Sequence, residues 1–332
     1  MSLLLRNLVS NFVKQVIESG GSIHPIIIPA ELTKGTGTFN PSIYNDNGQL
    51  FVNVRHCQVT IYHSEKGIFE HPWGPLVYLH PENDVTLTTT NYFCHLDSDL
   101  NVTRINAIDF SKFDESPKWE FIGLEDCRVF RWKGKLYLCG VRRDTTTNGV
   151  GRMELSEIEI YGDSVKEVSR FRIPAPGKDD SYCEKNWMPI LDEPFTFVKW
   201  SNPTEIASVD LTHKTCSSYV SNQTLPLECD LRGGSQVLKW KDGYIAIVHE
   251  TYLYKSEAGR KNGMYRHRFI YWDKDWNLRK MSKKFSFGES NIEFAAGMCY
   301  HNDDMLISFG IQDNAAYILR CPLNIIEEAL NG

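Results

Sequence analysis

The chain lacks most of the short signatures that would settle its chemistry at once. It has no Walker loop, no nucleophile elbow and no HExxH segment. Its 9 cysteines are odd in number and none falls in a CxxC pair. That spacing argues against a structural zinc site and against a disulfide framework. Several thiols sit inside apolar stretches such as LYLCGV and GMCY, where a reduced cysteine behaves as a small hydrophobe. Cysteine usage of this kind is expected in a reducing, cytoplasmic compartment. No apolar run is long enough to cross a bilayer, so no membrane partner is expected. The first residues, MSLLLRNLVSNFVKQVIESGG, lack the unbroken apolar core of a signal peptide. Their spacing predicts an amphipathic helix over residues 1–21, closed by Gly20-Gly21. Net charge is −6, which excludes a global basic field for nucleic acid or lipid. No linker or low-complexity segment interrupts the 332 residues.

What is present is a recurring unit: an apolar strand, a tight polar turn, a second apolar strand, then a polar residue. It reads FNPSIYNDNGQLFVNVRH to Arg55 and His56, and EDCRVFRWKGKLYLCGVRRD to Arg142, Arg143 and Asp144. A degenerate copy is NWMPILDEPFTFVKWSN. The remaining copies are GGSQVLKWKDGYIAIVHE, ending at His249 and Glu250, and AAGMCYHNDDMLISFGIQD, ending at Gln312 and Asp313. Alternation with Gly, Asp or Asn at the turn predicts a β-hairpin for each. Five hairpins repeated along the chain predict an all-β fold, a five-bladed β-propeller. One domain over residues 1–332 is expected, with a helix over 323–332 packed on the N-terminal one. In a radial array equivalent strand ends converge on one axis. Arg55, Arg143, His249, Glu250 and Asp313 are then expected around one polar funnel.

Three segments carry the charge that chemistry needs. Gly123-Leu124-Glu125-Asp126-Cys127-Arg128 sets two carboxyls beside an arginine, an arrangement that separates the pKa values of two acids. A solvated strand end with a bracing Asp–Arg pair is the plainer reading of the same residues. Glu184-Lys185-Asn186-Trp187-Met188-Pro189 brings a lysine, an amide and an indole into one strand. There a core tryptophan with a surface lysine is the reading favoured over a sugar platform. Arg142-Arg143, Lys185 and His249 at equivalent strand ends form a candidate phosphate clamp, since guanidinium forks match phosphate oxygens. Arg232-Gly233-Gly234-Ser235 adds a cation and free backbone N–H groups, although Gly-Gly is also a common turn.

Taken together, these segments resemble glycoside hydrolase family 130, the mannoside phosphorylases, over roughly residues 120–315. Gly-Leu-Glu-Asp-Cys-Arg is similar to that family's Glu-Asp-Pro-Arg, and Lys-Asn-Trp-Met-Pro to its Lys-Asn-Trp segment. The hairpin ending Val-His-Glu resembles one ending Tyr-His-Gly, and Gly310-Ile-Gln-Asp313 resembles its closing Gly-x-x-Asp. The family fold is a five-bladed β-propeller. The resemblance implies Asp126, with Glu125 beside it, as the catalytic acid. It implies Arg143, Lys185 and His249 at phosphate positions, and Asn186 and Asp313 at sugar positions. The converging strand ends add Arg55 and Arg232 to the expected donor-binding residues, and Asn53 and Glu250 to the expected sugar-binding ones. Cys127 and Glu250 depart from the family pattern. The first hairpin looks more like related propeller proteins that are glycosyltransferases. The resemblance therefore implies a glycosyltransferase using a nucleotide-sugar or sugar-phosphate donor, with no metal and no other cofactor. A phosphorylase, a hydrolase using Glu250 or Glu293 to hold water, and a non-catalytic glycan-binding propeller stay open beside it. The acceptor is expected to be a glycan hydroxyl or a polyanion such as DNA carrying a hydroxylated base. The basis for a polyanion is the basic stretch Lys255, Arg260, Lys261, Arg266, His267 and Arg268, followed by Lys280, Lys283 and Lys284. An ordinary solvated loop is the plainer reading of that stretch.

Overall fold

A computed structural model describes residues 10–63, 76–79, 86–176, 183–221, 225–226, 230–255, 261–288 and 290–332. The chain is all-β, with short helices near its ends. It begins with α1 (Asn11–Glu18), β1 (Ser22–Ile26) and α2 (Ala30–Thr33). There follow β2 (Thr38–Asp46), β3 (Gln49–Cys57), β4 (Thr60–His63), β5 (Leu76–Leu79), β6 (Leu87–Leu96), β7 (Val102–Asp109) and β8 (Phe121–Ile122). Next are β9 (Leu124–Trp132), β10 (Lys135–Arg142), β11 (Arg152–Tyr161) and β12 (Ser164–Arg172). Then come β13 (Met188–Pro189), β14 (Thr196–Ser201), β15 (Thr204–Asp210) and β16 (Thr215–Val220). β17 (Leu231–Gly233), β18 (Leu238–Trp240), β19 (Gly243–Lys255), β20 (Lys261–Trp272) and β21 (Leu278–Met281) precede β22 (Glu293–His301), β23 (Asp304–Ile311), β24 (Ala315–Pro322) and α3 (Leu323–Asn331).

Pairing sorts these strands into antiparallel meanders. The orders are β2-β3-β6-β7, β9-β10-β11-β12, β13-β14-β15-β16, β17/β18-β19-β20-β21 and β22-β23-β24-β1. The first two meanders are linked through only two parallel residue pairs, Val165 with Ile108 and Lys166 with Asp109. The hairpin turns are those the sequence predicts. Asn47-Gly48 and Lys133-Gly134 have the positive φ values that right-twisted hairpins require. In the fifth meander the outer strand comes from the opposite end of the chain, Ser22 pairing with Arg320 and Ile26 with Ala316. Both terminal helices pack on this closure. Val13 and Val16 of α1 share one apolar cluster with Ile325, Ile326 and Leu330 of α3. The helix expected over residues 1–21 is described as α1, and residues 1–9 lie outside the described part.

The innermost strands meet at a buried polar knot. The Gln236 side chain, 0% exposed, lies between β17 and β18. Its Nε2 donates to Val129 O at 2.7 Å, to Ile43 O at 3.0 Å and to Ser42 Oγ at 3.2 Å. Its Oε1 accepts from Met298 N at 2.9 Å. Beside it Val237 N donates to Pro189 O at 2.9 Å, and Leu191 N to Val237 O at 3.2 Å. One amide and its neighbour thus touch all five meanders. The backbones approach so closely that a Cβ at Gly297 would run into Ile43 N. Eight of the 9 cysteines are described; all eight are free and six are buried, the solvent-poor setting expected of hydrophobic thiols.

Gln236→Ala strands a backbone donor and two backbone carbonyls in a dry interior, at about 1–3 kcal/mol each. We expect a loss of about 3–5 kcal/mol in urea unfolding. Lys239→Ala, which breaks only an exposed pair with Asp192 at 3.7 Å, should cost under about 1 kcal/mol.

Candidate functional site

At one end of the knot the inner strands turn away from the axis, and there short polar residues adopt left-handed backbone. Asn40 (φ 48°), Asp126 (φ 50°), Asn186 (φ 62°) and Asp313 (φ 45°) all do so. Asn and Asp tolerate this region better than other side-chain-bearing residues. Two of these positions lie in β-bulges. Asn40-Pro41 opposes Val54 alone, because the register shifts between Phe39 and Ser42. Asp126-Cys127 opposes Gly140 alone, because it shifts between Cys139 and Val141. A bulge re-aims the side chain it carries. Here the re-aimed groups meet: Asn40 Nδ2 donates to Asp126 Oδ1 at 2.8 Å.

Arg55 organises the acids. It is 8% exposed and reaches Asp126 Oδ1 at 3.0 Å and Glu125 Oε2 at 3.1 Å. Its Nε donates to Thr89 Oγ1 at 3.2 Å, and its guanidinium lies 5.1 Å from the centroid of the Phe39 ring. Arg128 braces the bulge from below, donating to Asp126 O and Gly234 O, both at 2.8 Å. Burial works to raise the Asp126 carboxyl, but Arg55, the Asn40 amide and Arg128 outweigh it and hold the group below its ordinary value. Burial prevails at Glu125 and raises it, with Arg55 opposing and Asp126 adding to the rise. Asp313 is pushed up to about 7 by burial, opposed by Arg55 and reinforced by Asp126 and Glu125.

A cationic group faces the acids. Lys185 opens to solvent within the walls of the cleft; loss of water, then Arg232 and Arg143, push its amine down. Arg232 pairs with His249 through the β17–β19 ladder, and the side chains of Lys185 and Arg232 make no hydrogen bond or ion pair with any described residue. Arg143 reaches Glu125 Oε1 at 3.5 Å and donates to Gly149 O at 3.3 Å. His249 is buried between Phe294, with ring centroids 5.0 Å apart, and Tyr265, at 5.5 Å. Burial first, then His267, Arg232, Arg128 and Lys185, hold its imidazole well below the usual value, so it is neutral at neutral pH.

The residues the sequence nominates divide into two sets. Arg55, Glu125, Asp126, Arg143, Lys185, Arg232, His249 and Asp313 form one chain of neighbouring charged and titratable groups, Asp313 and Glu125 linked through Arg55 and Asp126, and His249 through Lys185 and Arg232, and Asn186 follows Lys185. Asn53 and Glu250 do not face the cleft. Asn53 shares a strand face with Arg55 but lies two residues deeper; it is 0% exposed and donates to Asn91 Oδ1 at 2.9 Å. Glu250 alternates to the opposite face from His249; it is 0% exposed and paired with Arg268 and the Tyr252 hydroxyl. Alternation also removes Arg142 from the clamp, into a buried pair with Glu154 at 2.7 Å. Glu293, like Glu250 considered for holding water, instead accepts from the backbone of Phe287, Gly288 and Ser290. Trp187 is a core side chain, its indole donating to Glu184 at 3.0 Å. Of the basic stretch, residues 256–260, Arg260 among them, lie outside the described part. Arg266 donates to Tyr265 O at 2.7 Å, and Arg268 is held by Glu250 and Ser282 O. Sequence reading missed Asn40 and Tyr265. The Asn-Pro opening of the first hairpin signals the former. The β19–β20 register, which puts Tyr265 one step beyond the His249–His267 pair on the same face, signals the latter.

No protein-family model matches the chain, and no curated protein sequence matches it significantly. Solved structures do resemble it. A β-1,2-mannobiose phosphorylase from Listeria innocua superposes with a TM-score of 0.57 at 14% identity, covering 98% of this chain and 99% of that one. A glycosyl hydrolase from Bacteroides ovatus gives 0.57 at 12%, covering 86% and 84%. A GDP-Man-dependent mannosyltransferase from Leishmania mexicana gives 0.51 at 10%, covering 91% and 90%. At these identities the likeness is one of fold. Among the described residues no cluster of His, Cys, Asp and Glu is arranged to hold a metal ion, and no helix is long and apolar enough to cross a membrane.

Asp126 has a lowered carboxyl pKa, so its contribution to stability exists above the ordinary value of 3.8 and fades as pH falls through the lower folded value. Asp126→Asn should therefore destabilise the protein at pH 7 by about 1.5–3 kcal/mol, the worth of a charged hydrogen-bonding partner. The gap between mutant and wild type should narrow as the pH of thermal melts is lowered below 4. A gap that stays constant with pH would remove the ionised Asp126–Arg55 pair from the account.

Proposed function

We propose that the chain is a carbohydrate-active enzyme on a five-bladed β-propeller, moving a glycosyl group between a phosphate-bearing leaving group and a hydroxyl acceptor. The observation that carries this reading is the pairing of two opposite clusters in one cleft. Lys185 and Arg232, whose side chains have no hydrogen-bond or ion-pair partner among the described residues, stand beside Arg143 and His249. Across from them Arg55 holds Glu125 and Asp126 at 3.1 and 3.0 Å. An anion is the natural occupant of the first cluster, and a proton-transferring centre of the second. Arg143, Lys185 and Arg232 take the phosphate oxygens. Neutral His249 contributes a hydrogen bond rather than charge. Asn40 and Asn186, at the rim, take sugar hydroxyls. Arg55 serves the acids and is not a phosphate ligand. The fold supports the reading because it is shared with proteins named as a mannobiose phosphorylase, a glycosyl hydrolase and a GDP-Man-dependent transferase.

Transferase and phosphorylase use one cleft in opposite directions. A nucleotide-sugar diphosphate and a sugar 1-phosphate both place phosphate oxygens beside C1, where the same cations stabilise the leaving charge. Hydrolysis is the weaker alternative, since the two glutamates considered for holding water are engaged elsewhere in the fold. The acceptor proposed is a glycan hydroxyl. A hydroxylated-base DNA acceptor has less support, because Arg266 and Arg268 are held within their own sheet.

A donor screen tests the reading: GDP-mannose with mannose, mannose 1-phosphate with mannose, and inorganic phosphate with β-1,2-mannobiose. Turnover in one arm is the expected result. Nucleotide or phosphate binding with no turnover in any arm would make the protein a binding module. Arg143→Ala and Lys185→Ala should each weaken GDP or phosphate binding in calorimetry by about ten- to a hundredfold, since a charged partner is worth roughly 1.5–3 kcal/mol. Unchanged affinity in both variants would sink the phosphate assignment.

A further inference from the structure

A second polar cavity lies beyond the loop that carries Arg143. Side chains alternate where β10 ends. Arg143 reaches Glu125 in the cleft, while Arg142 and Asp144 line a separate hollow of about 360 Å³. Arg55, Glu125, Asp126, Lys185 and His249 take no part in its lining.

The walls of this hollow are charged and deeply set. Arg142, Asp144 and Glu154 are 3%, 7% and 2% exposed. Arg142 Nε donates to Glu154 Oε2 at 2.7 Å, and its Nη1 reaches Asp144 Oδ2 and Asp114 Oδ1, both at 3.4 Å. Arg172 lies 3.9 Å from Glu154 and donates to Thr145 Oγ1. Two buried polar atoms are left over. Arg142 Nη2 and Asp144 Oδ1 have no hydrogen-bond partner among the described residues. One is a donor and the other an acceptor, and such pairs in a native interior call for an explanation. With Arg170 and Glu115, three arginines and three carboxyls line the hollow, so it is close to neutral.

Next to it the charge is one-sided. A hollow of about 330 Å³ shares Thr145 and Arg172 with the first. Lys118, Thr146, Thr147 and Asn148 are among its other walls, and no Asp or Glu lines it among the described residues. The Lys118 side chain makes no hydrogen bond or ion pair with any described residue. The loop between the two hollows is held in place. Lys118 N donates to Asp144 O at 2.7 Å, and Val150 N to Asn148 Oδ1 at 3.1 Å. Trp119 packs on Gly149 (φ 65°) so closely that a Cβ there would overlap its indole.

We infer that these joined hollows are a second ligand site, and that it takes a phosphorylated monosaccharide. A sugar hydroxyl both donates and accepts, so one hydroxyl or a neighbouring pair satisfies Arg142 Nη2 and Asp144 Oδ1 together. Phe113 adds an apolar wall on that side. Phosphate oxygens suit the other hollow, where the Arg172 guanidinium, the Lys118 ammonium and threonine hydroxyls are all donors. Inorganic phosphate alone leaves the neutral hollow unanswered, and an unphosphorylated sugar leaves the cationic one. The volumes fit a small polar molecule. The inference goes beyond the glycosyl-transfer reading and does not rest on it, because no bond is made or broken here.

The loop of Arg143 joins this site to the cleft, so the test must tell the two apart. Calorimetry on the whole protein with mannose 6-phosphate and glucose 6-phosphate does so. Lys118→Ala and Arg172→Ala change residues that are not core, and each should weaken binding of the hexose phosphate about tenfold or more, as expected for loss of a charged partner. Lys185→Ala, in the cleft, should leave that affinity unchanged. Mannose and inorganic phosphate offered separately should each bind at least about tenfold more weakly at this site. Unchanged affinity in both Lys118→Ala and Arg172→Ala overturns the site. Weakening by Lys185→Ala alone also overturns it, since the ligand is then in the cleft. So does failure of both hexose phosphates to bind at millimolar concentration. Inorganic phosphate binding as tightly as the hexose phosphates, with the same sensitivity to Arg172→Ala, overturns the sugar assignment.

Discussion

The arrangement of the molecule depends on one buried amide. Gln236 joins Val129, Ile43 and Met298 through its own side chain, and its neighbour Val237 joins Pro189 and Leu191. A carboxamide suits this position because it offers donors and an acceptor in one plane without charge, so it satisfies backbone groups of several strands and brings no ion into a dry interior. Inner strands that converge so closely cannot remain regular. Their backbone groups also find hydrogen-bond partners in this side chain and in Ser42, Ser308 and Arg128.

The same crowding generates the site. Where the inner strands leave the knot, bulges and left-handed residues absorb the change of direction. The residues that tolerate such backbone are Asn and Asp, whose short polar side chains bring hydrogen-bonding groups to the rim. Asn40, Asp126, Asn186 and Asp313 are therefore determined twice, by backbone conformation and by the chemistry available at the rim. This explains why Asp126 can sit in a bulge and still be held at 2.8 and 3.0 Å by two donors.

Much of this is legible in the sequence. Hairpin alternation and turn residues such as Asn47-Gly48 marked the strands, and convergence of strand ends brought Arg55, Arg143, Lys185, His249 and Asp313 together. Alternation, however, reports face and not depth. Asn53 shares a face with Arg55 but lies one step further into the molecule, where its amide braces Asn91. Which side of a strand end meets the cleft was equally hidden: Arg143 faces it and Arg142 does not, and His249 faces it while Glu250 turns to Arg268. Adjacent residues in the sequence thus diverge most in role, because a strand's period of two separates them most.

Charge distribution then completes the division of labour. One guanidinium cannot neutralise three carboxyls. Arg55 satisfies Asp126 and Glu125 by direct contact, and their negative potential adds to the burial that raises Asp313, whose carboxyl has no hydrogen-bond or ion-pair partner among the described residues. On the other side, burial first and then the neighbouring cations Arg232 and Arg143 push the Lys185 amine down. Each cluster is incomplete in the opposite sense, one short of positive charge and the other of negative. In the proposed reading a phosphate-bearing sugar would complete both at once, its anion beside Lys185, Arg232 and Arg143.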